Sequence, residues 1–193
     1  MFPQGKRTLL LILAAATVGA VGCGLPPSRV EFIEKLAKDN RQIARSTRSF
    51  RSAILPLKDG NAATPAQVRS AYQEMEKALK EVRADVDGQL LPASSTSAKD
   101  FLAAYKTYLD GQQDILTNLM QPIVQEVELP TDENGDPTVG ARWAVVDGLM
   151  KKVTDKERET WGALAAAQSA YASEHNYQVQ SLADYVAALK AGK

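Results

Sequence analysis

The sequence predicts an all-α protein, an up-and-down bundle of four principal long helices, the last of them broken into two segments. Three observations lead there. Apolar residues recur at spacings of three and four through four long stretches, the period of a helix with one buried face. No stretch shows the alternating pattern of a half-buried strand. Segments rich in Pro, Gly, Ser and Asn separate the four, and mostly short connections imply antiparallel neighbours.

The first helix is expected over residues 28–57. At about 100° per residue from Val30, Ile33, Leu36, Ala37, Ile43, Ala44, Thr47, Phe50 and Ile54 fall between roughly 200° and 340°, whereas Lys38, Arg41, Arg45 and Arg48 fall between roughly 0° and 80°. A basic stripe therefore stands opposite the core stripe. Pro56 and the turn-rich residues 58–63 end this helix. Thr64, Pro65 and Gln67 then supply an N-cap, a first-turn proline and a capping-box partner for the second. Val68, Tyr72, Met75, Leu79, Val82 and Val86 form its seam, and Pro92 predicts a stop near Leu91.

Ser97 is the expected N-cap of the third helix, with Asp100 as its acidic third position. Its seam is Phe101, Tyr105, Tyr108, Gln112, Ile115, Leu119 and Ile123, and Pro122 predicts a kink or register shift over residues 118–122. Residues 130–137 read as a loop. From Trp143 the last seam runs through Val146, Met150, Val153, Glu157, Thr160, Leu164, Gln168, Tyr171, His175, Gln178, Leu182 and Tyr185 to Leu189. Unbroken, such a helix would extend roughly 75 Å, beyond the roughly 40 to 45 Å of its neighbours. A break is therefore expected near residues 154–157, where Thr154 and Glu157 stand at capping-box spacing, or near Asn176.

Charge is balanced over the whole chain, but its distribution is uneven. Residues 24–58 hold Arg29, Lys35, Lys38, Arg41, Arg45, Arg48, Arg51 and Lys58 against Glu31, Glu34 and Asp39, and the chain beyond them is acidic. Lys38, Arg41, Arg45 and Arg48 are the candidate site for an anionic surface, a cell-wall polymer or an acidic protein. The alternative is a solvated helix face.

The chain has one cysteine, Cys23, which excludes an intrachain disulfide and a cysteine-rich zinc site. Before it stand Lys6 and Arg7, an apolar run over residues 9–21, and the small residues Ala20, Val21 and Gly22. This arrangement resembles a bacterial lipoprotein signal peptide, with Ala20 an accepted variant where Leu, Val or Ile is preferred. An ordinary secretory peptide, the competing reading, would leave a lone exported thiol, and an uncleaved apolar anchor is the other. The lipoprotein resemblance implies a removed segment 1–22, a lipidated Cys23 on a short tether, 23–28, and a helical-bundle domain, 29–193. It implies a membrane-anchored protein of the cell envelope facing away from the cytoplasm. In a diderm cell Gly24, in place of aspartate, favours the outer membrane.

The motifs exclude more than they assign. His175 is the single histidine, so the His-plus-carboxylate pairs of di-iron bundles cannot be assembled within one chain. Ser169 and Ser173 lie near it in sequence without a nucleophile turn or oxyanion motif. Asp132, Asn134 and Asp136 alternate as EF-hand ligands do, but Pro137 and Trp143 occupy the positions that need glycine and a bidentate acid. Trp143, Trp161, Tyr171, Tyr177 and Tyr185 are expected as core and rim residues. No motif calls for a cofactor, and nothing points to nucleic acid. The sequence thus leads to a lipid-anchored, non-enzymatic bundle that binds or supports an envelope partner. A small-ligand or metal-binding bundle, even a catalytic one, is the alternative, with a pocket lined by Gln112, Gln168 or His175.

Overall fold

A computed structural model describes residues 27–89, 91–92, 95–129 and 139–175. They form five α-helices, α1 (Pro27–Lys58), α2 (Pro65–Asp87), α3 (Thr96–Ile115), α4 (Gln121–Glu128) and α5 (Val139–Glu174), with a π-helical turn, Leu116–Met120, joining α3 to α4. The joined and bent α3–α4 acts as one member, so four helices pack together without strands among the described residues. None of the described helices is long and apolar enough to cross a membrane.

Contacts between neighbouring helices fix the directions. Along α1 and α2, Lys35 Nζ donates to the Asp85 carbonyl (3.1 Å), Gln42 Nε2 to Glu81 (2.6 Å) and Ser49 Oγ to Glu74 (3.4 Å). One number rises as the other falls, so the pair is antiparallel. Lys106–Asp87 (2.9 Å) and Arg69–Glu128 (2.6 Å) set α3–α4 against α2 in the same sense. Phe101 on Tyr171 and Tyr108 on Trp161 do so for α5 on α3. Phe32 on Tyr171 and Arg51 on Glu157 close the ring between α1 and α5.

The buried arc of α1 is rotated from the one expected. Leu36, Ala37, Ile43, Phe50 and Ile54 are buried, but Ile33, Ala44 and Thr47 are only half-buried, whereas Phe32, Asp39 and Ser46 go inside. The cause is that α1 packs chiefly on α2, which turns the helix toward the side carrying Phe32 and Asp39. Helix α2 starts at Pro65 as expected, yet Thr64 makes no side-chain cap bond; its carbonyl instead accepts from Gln67 N and Val68 N. The helix ends at Asp87, short of Leu91, with the Gly88 amide closing on the Ala84 carbonyl. Helix α3 is capped earlier than expected: Ser95, not Ser97, is the N-cap, and its Oγ accepts from Ala98 N at 3.1 Å.

The disturbance expected over residues 118–122 is the π turn. Pro122 has no amide hydrogen to donate and its ring crowds the carbonyl of Asn118. The backbone widens ahead of it, and Gln121 N–H reaches back five residues to the Leu116 carbonyl.

The break expected at residues 154–157 is absent, since α5 is continuous from Val139 to Glu174, and the other expected position, Asn176, lies outside the described residues. Two facts account for this. Through the π turn the third member runs on to Glu128, about 50 Å, and α5 is about 54 Å, so little overhangs. The polar seam residues are also accommodated. Glu157 meets Arg51 at 2.7 Å, and Thr160 sits over Gly111, where a β-carbon would stand 2.3 Å from its Cγ2.

Candidate functional site

Lys38, Arg41, Arg45 and Arg48 are all exposed, on the α1 face opposite the core. Steps of three, four and three residues keep them on one side of the helix over about 15 Å. Among the described residues no acidic side chain pairs with any of them. The one recorded bond is from Arg48 Nε to the Ala44 carbonyl of its own helix, at 3.4 Å. Elsewhere the charges are largely matched: Arg51 with Glu157, Arg69 with Glu128, Arg83 with Asp110, Lys106 with Asp87, Lys151 with Asp147 and Arg158 with Asp155. Lys35, one step around α1, is drawn to the C-terminal carbonyl end of α2. The stripe is a compact group of four cations, none of them in an ion pair among the described residues, with Glu34 the acid that shares their face and Asp39 acting on Lys38 from the core side.

At the end of the bundle where α1 begins, α5 caps α3. The Glu174 carboxylate accepts from Thr96 N (3.3 Å), Ser97 N (2.9 Å) and Ser97 Oγ, filling amide positions that open at every helix start. The Ser97 hydroxyl and amide, then the Thr96 amide and His175, hold this carboxyl far below its ordinary range, at about 2. His175 is buried, with Nε2 2.8 Å from Ser95 Oγ, 3.7 Å from Glu174 Oε1, and its ring edge-on to Tyr171.

A serine, a histidine and a glutamate thus meet, but not as a hydrolytic triad. The acid lies on the same ring nitrogen as the serine, and the amides that would receive an oxyanion are taken by Glu174. The arrangement is a clasp between two helix ends. Sequence reasoning placed Ser169 and Ser173 near the histidine; both are exposed on α5, and the serine that meets it comes from 80 residues away. Ser95 and Glu174 carry no motif that would have singled them out.

Gln112, Gln168 and His175 are each buried, but they do not converge. Gln112 follows Gly111, which faces Thr160, so successive levels along α5 are separated by about 12 Å and about 10 Å. The interior holds a different polar pair that the sequence pattern concealed, Asp39 on α1 and Tyr105 on α3, both almost fully buried. Trp143 and Trp161 are half-buried at the core edge, and Tyr171 is in the core, as expected of core and rim residues. Among the described residues no three His, Cys, Asp or Glu side chains group as metal ligands. Cys23, Asp132, Asn134, Asp136, Tyr177 and Tyr185 lie outside the described residues. Compared with known proteins, the chain matches no family model, no curated protein and no solved structure.

Proposed function

We propose that this is a lipid-anchored, extracytoplasmic helical bundle that serves as a binding module at the cell envelope, engaging an anionic surface through Lys38, Arg41, Arg45 and Arg48. The observation that carries the reading is the stripe itself: four exposed cations in register, without acidic partners among the described residues, in a molecule whose other charges are mostly paired.

Geometry constrains how such a stripe would meet a membrane. Helix α1 begins at Pro27, four residues beyond Cys23, a tether of at most roughly 14 Å. Standing upright, α1 would lift Lys38 about 16 Å and Arg48 about 32 Å above its start. Both exceed the Debye length of about 8 Å at physiological salt, so the cations would be screened from headgroups. The stripe therefore engages lipid when the bundle lies along the surface with α1 underneath. Each base in place then contributes about 1 kcal/mol.

The test is cosedimentation of the unlipidated protein, begun at Leu25, with anionic vesicles or purified cell wall. Wild type should pellet at low salt and release at high salt, and reversal of all four cations to glutamate should abolish pelleting without altering helix content. Equal pelleting by both proteins would sink the proposal. Pelleting with cell wall alone would make the partner a polymer instead of a lipid surface.

A further inference from the structure

Asp39 lies on the core side of α1 at 1 % exposure, and its Oδ2 has no hydrogen-bond partner. Tyr105, on α3, is fully buried, and its hydroxyl has none either. The two are close enough that the Asp39 charge opposes ionisation of the tyrosine, which burial and Tyr108 already disfavour. A buried carboxylate that lacks a donor is unstable relative to its acid form, whose O–H can itself donate. The acid form needs no such donor, and the Tyr105 hydroxyl does not offer one to the carboxylate, since neither oxygen finds a partner within hydrogen-bond distance.

The surrounding charges do not cancel this. On α1, Lys35 and Lys38 favour the ionised form, but Lys38 is exposed and Lys35 is engaged with the Asp85 carbonyl. On α2, Asp85 opposes ionisation, and Arg83 is turned to Asp110. On α3, beside Tyr105 and Tyr108, Lys106 is held by Asp87. On α5, the level bracketed by the Phe101–Tyr171 and Tyr108–Trp161 contacts carries uncharged Leu164 and Gln168, with Tyr171 one layer away. Burial dominates and raises the Asp39 carboxyl to about 6.

We propose that Asp39 is a proton-operated lock on α1: protonated, it fastens the helix to the α2–α3 side of the bundle, and ionisation loosens it. Because the folded-state value is raised above the unfolded one of about 3.9, this stabilisation is complete below about pH 4 and is lost as pH rises through about 6. The lock does not depend on the stripe having a partner, though it acts on the helix that carries it.

The experiment is a carboxyl carbon-13 titration of Asp39 in the full chain in detergent, with amide hydrogen exchange across α1 at pH 5 and 7.5, corrected for intrinsic rates. The expected midpoint is near 6. Protection of α1 amides should fall by up to about tenfold from pH 5 to 7.5, because the opening equilibrium gains at most a factor of ten for each pH unit between pH 5 and the closed-state midpoint near 6. Asp39→Asn, which cannot ionise, should hold α1 protection constant over that interval. A midpoint near 4 in the wild type would overturn the proposal without recourse to any variant. So would a pH-dependence of α1 exchange that survives Asp39→Asn.

Discussion

Gly111 of α3 and Thr160 of α5 make a contact that admits no β-carbon: one placed on Gly111 would stand 2.3 Å from Thr160 Cγ2 and 3.0 Å from its Cβ. Threonine is stiff at χ1 and cannot swing its methyl clear. The glycine is thus retained for close approach of two helices, at the helix-propensity cost of about 1 kcal/mol that glycine carries mid-helix.

Gly111→Ala should therefore destabilise the bundle despite the better helix former, by about 1 to 3 kcal/mol from overpacking. Thr160→Ala in the same chain should recover part of the loss, because the 2.3 Å clash disappears and the 3.0 Å one remains. Denaturant melts of the two variants check this. A Gly111→Ala chain more stable than wild type would mean that α5 shifts freely.

Leu79 and Leu119 occupy equivalent seam positions in sequence but not in the fold, since Leu79 is buried and Leu119 only half-buried. Leu79→Ala should cost about 2 to 5 kcal/mol, through lost burial and the cavity left behind. Leu119→Ala should cost visibly less. The comparison of unfolding midpoints is direct, and equal losses would contradict the placement of Leu119 at the rim.

Arg51 and Glu157 are each about a quarter exposed and meet at 2.7 Å. A double-mutant cycle should give a coupling of about 1 kcal/mol, in the range for exposed to partly shielded pairs. Replacing both by leucine should be neutral or stabilising, because apolar side chains at these positions fill the seam without desolvating charge. A large loss in the double leucine variant would argue that the pair specifies the α1–α5 register.

Glu174→Gln should lower the melting temperature at neutral pH by removing the charge that α5 presents to the start of α3. The sign with pH follows from its depressed folded-state value: the stabilisation is present above the unfolded value of about 4.3 and is lost as pH falls toward 2. The wild-type and variant melting temperatures should converge in that interval. Curves that run parallel down to pH 2 would exclude a role for the carboxylate charge.

Cys23→Ser should release the protein from membranes or leave it as an unprocessed precursor, since two or three acyl chains anchor stably where none does. Intact-mass measurement of the membrane fraction reads the outcome. An acyl-free Cys23 in wild type would remove the lipid anchor from the proposed function.

Helix number, order and the basic face of α1 were legible because each rests on side-chain periodicity, and Thr64–Pro65 and Pro122 punctuate the chain by backbone chemistry. What periodicity could not disclose depends on a partner helix. Glu157 and Thr160 look like seam defects until Arg51 and Gly111 are brought opposite them. Asp39 looks like a surface residue among lysines until the packing of α1 on α2 rotates it inward. The Ser95–Ser97–Glu174–His175 clasp unites residues about 80 positions apart, a separation that no local pattern spans.

The π turn at Leu116–Met120 also bears on how this chain would line up with a relative. It holds one residue more than an α-helical turn, and Thr117 and Asn118 are exposed, so the surplus bulges toward solvent. Asn118 to Asp114 (2.6 Å) and Gln113 to Thr117 (3.1 Å) brace the bulge from outside. Ile123, Val124 and Val127 consequently keep the phase set by Ile115 and Leu116 and stay in the core. A homologue with a single-residue gap at Thr117 or Asn118 would present the same α4 face to α2 and α5. An insertion or deletion here would thus be an inherited length change that leaves the core alignment intact on both sides.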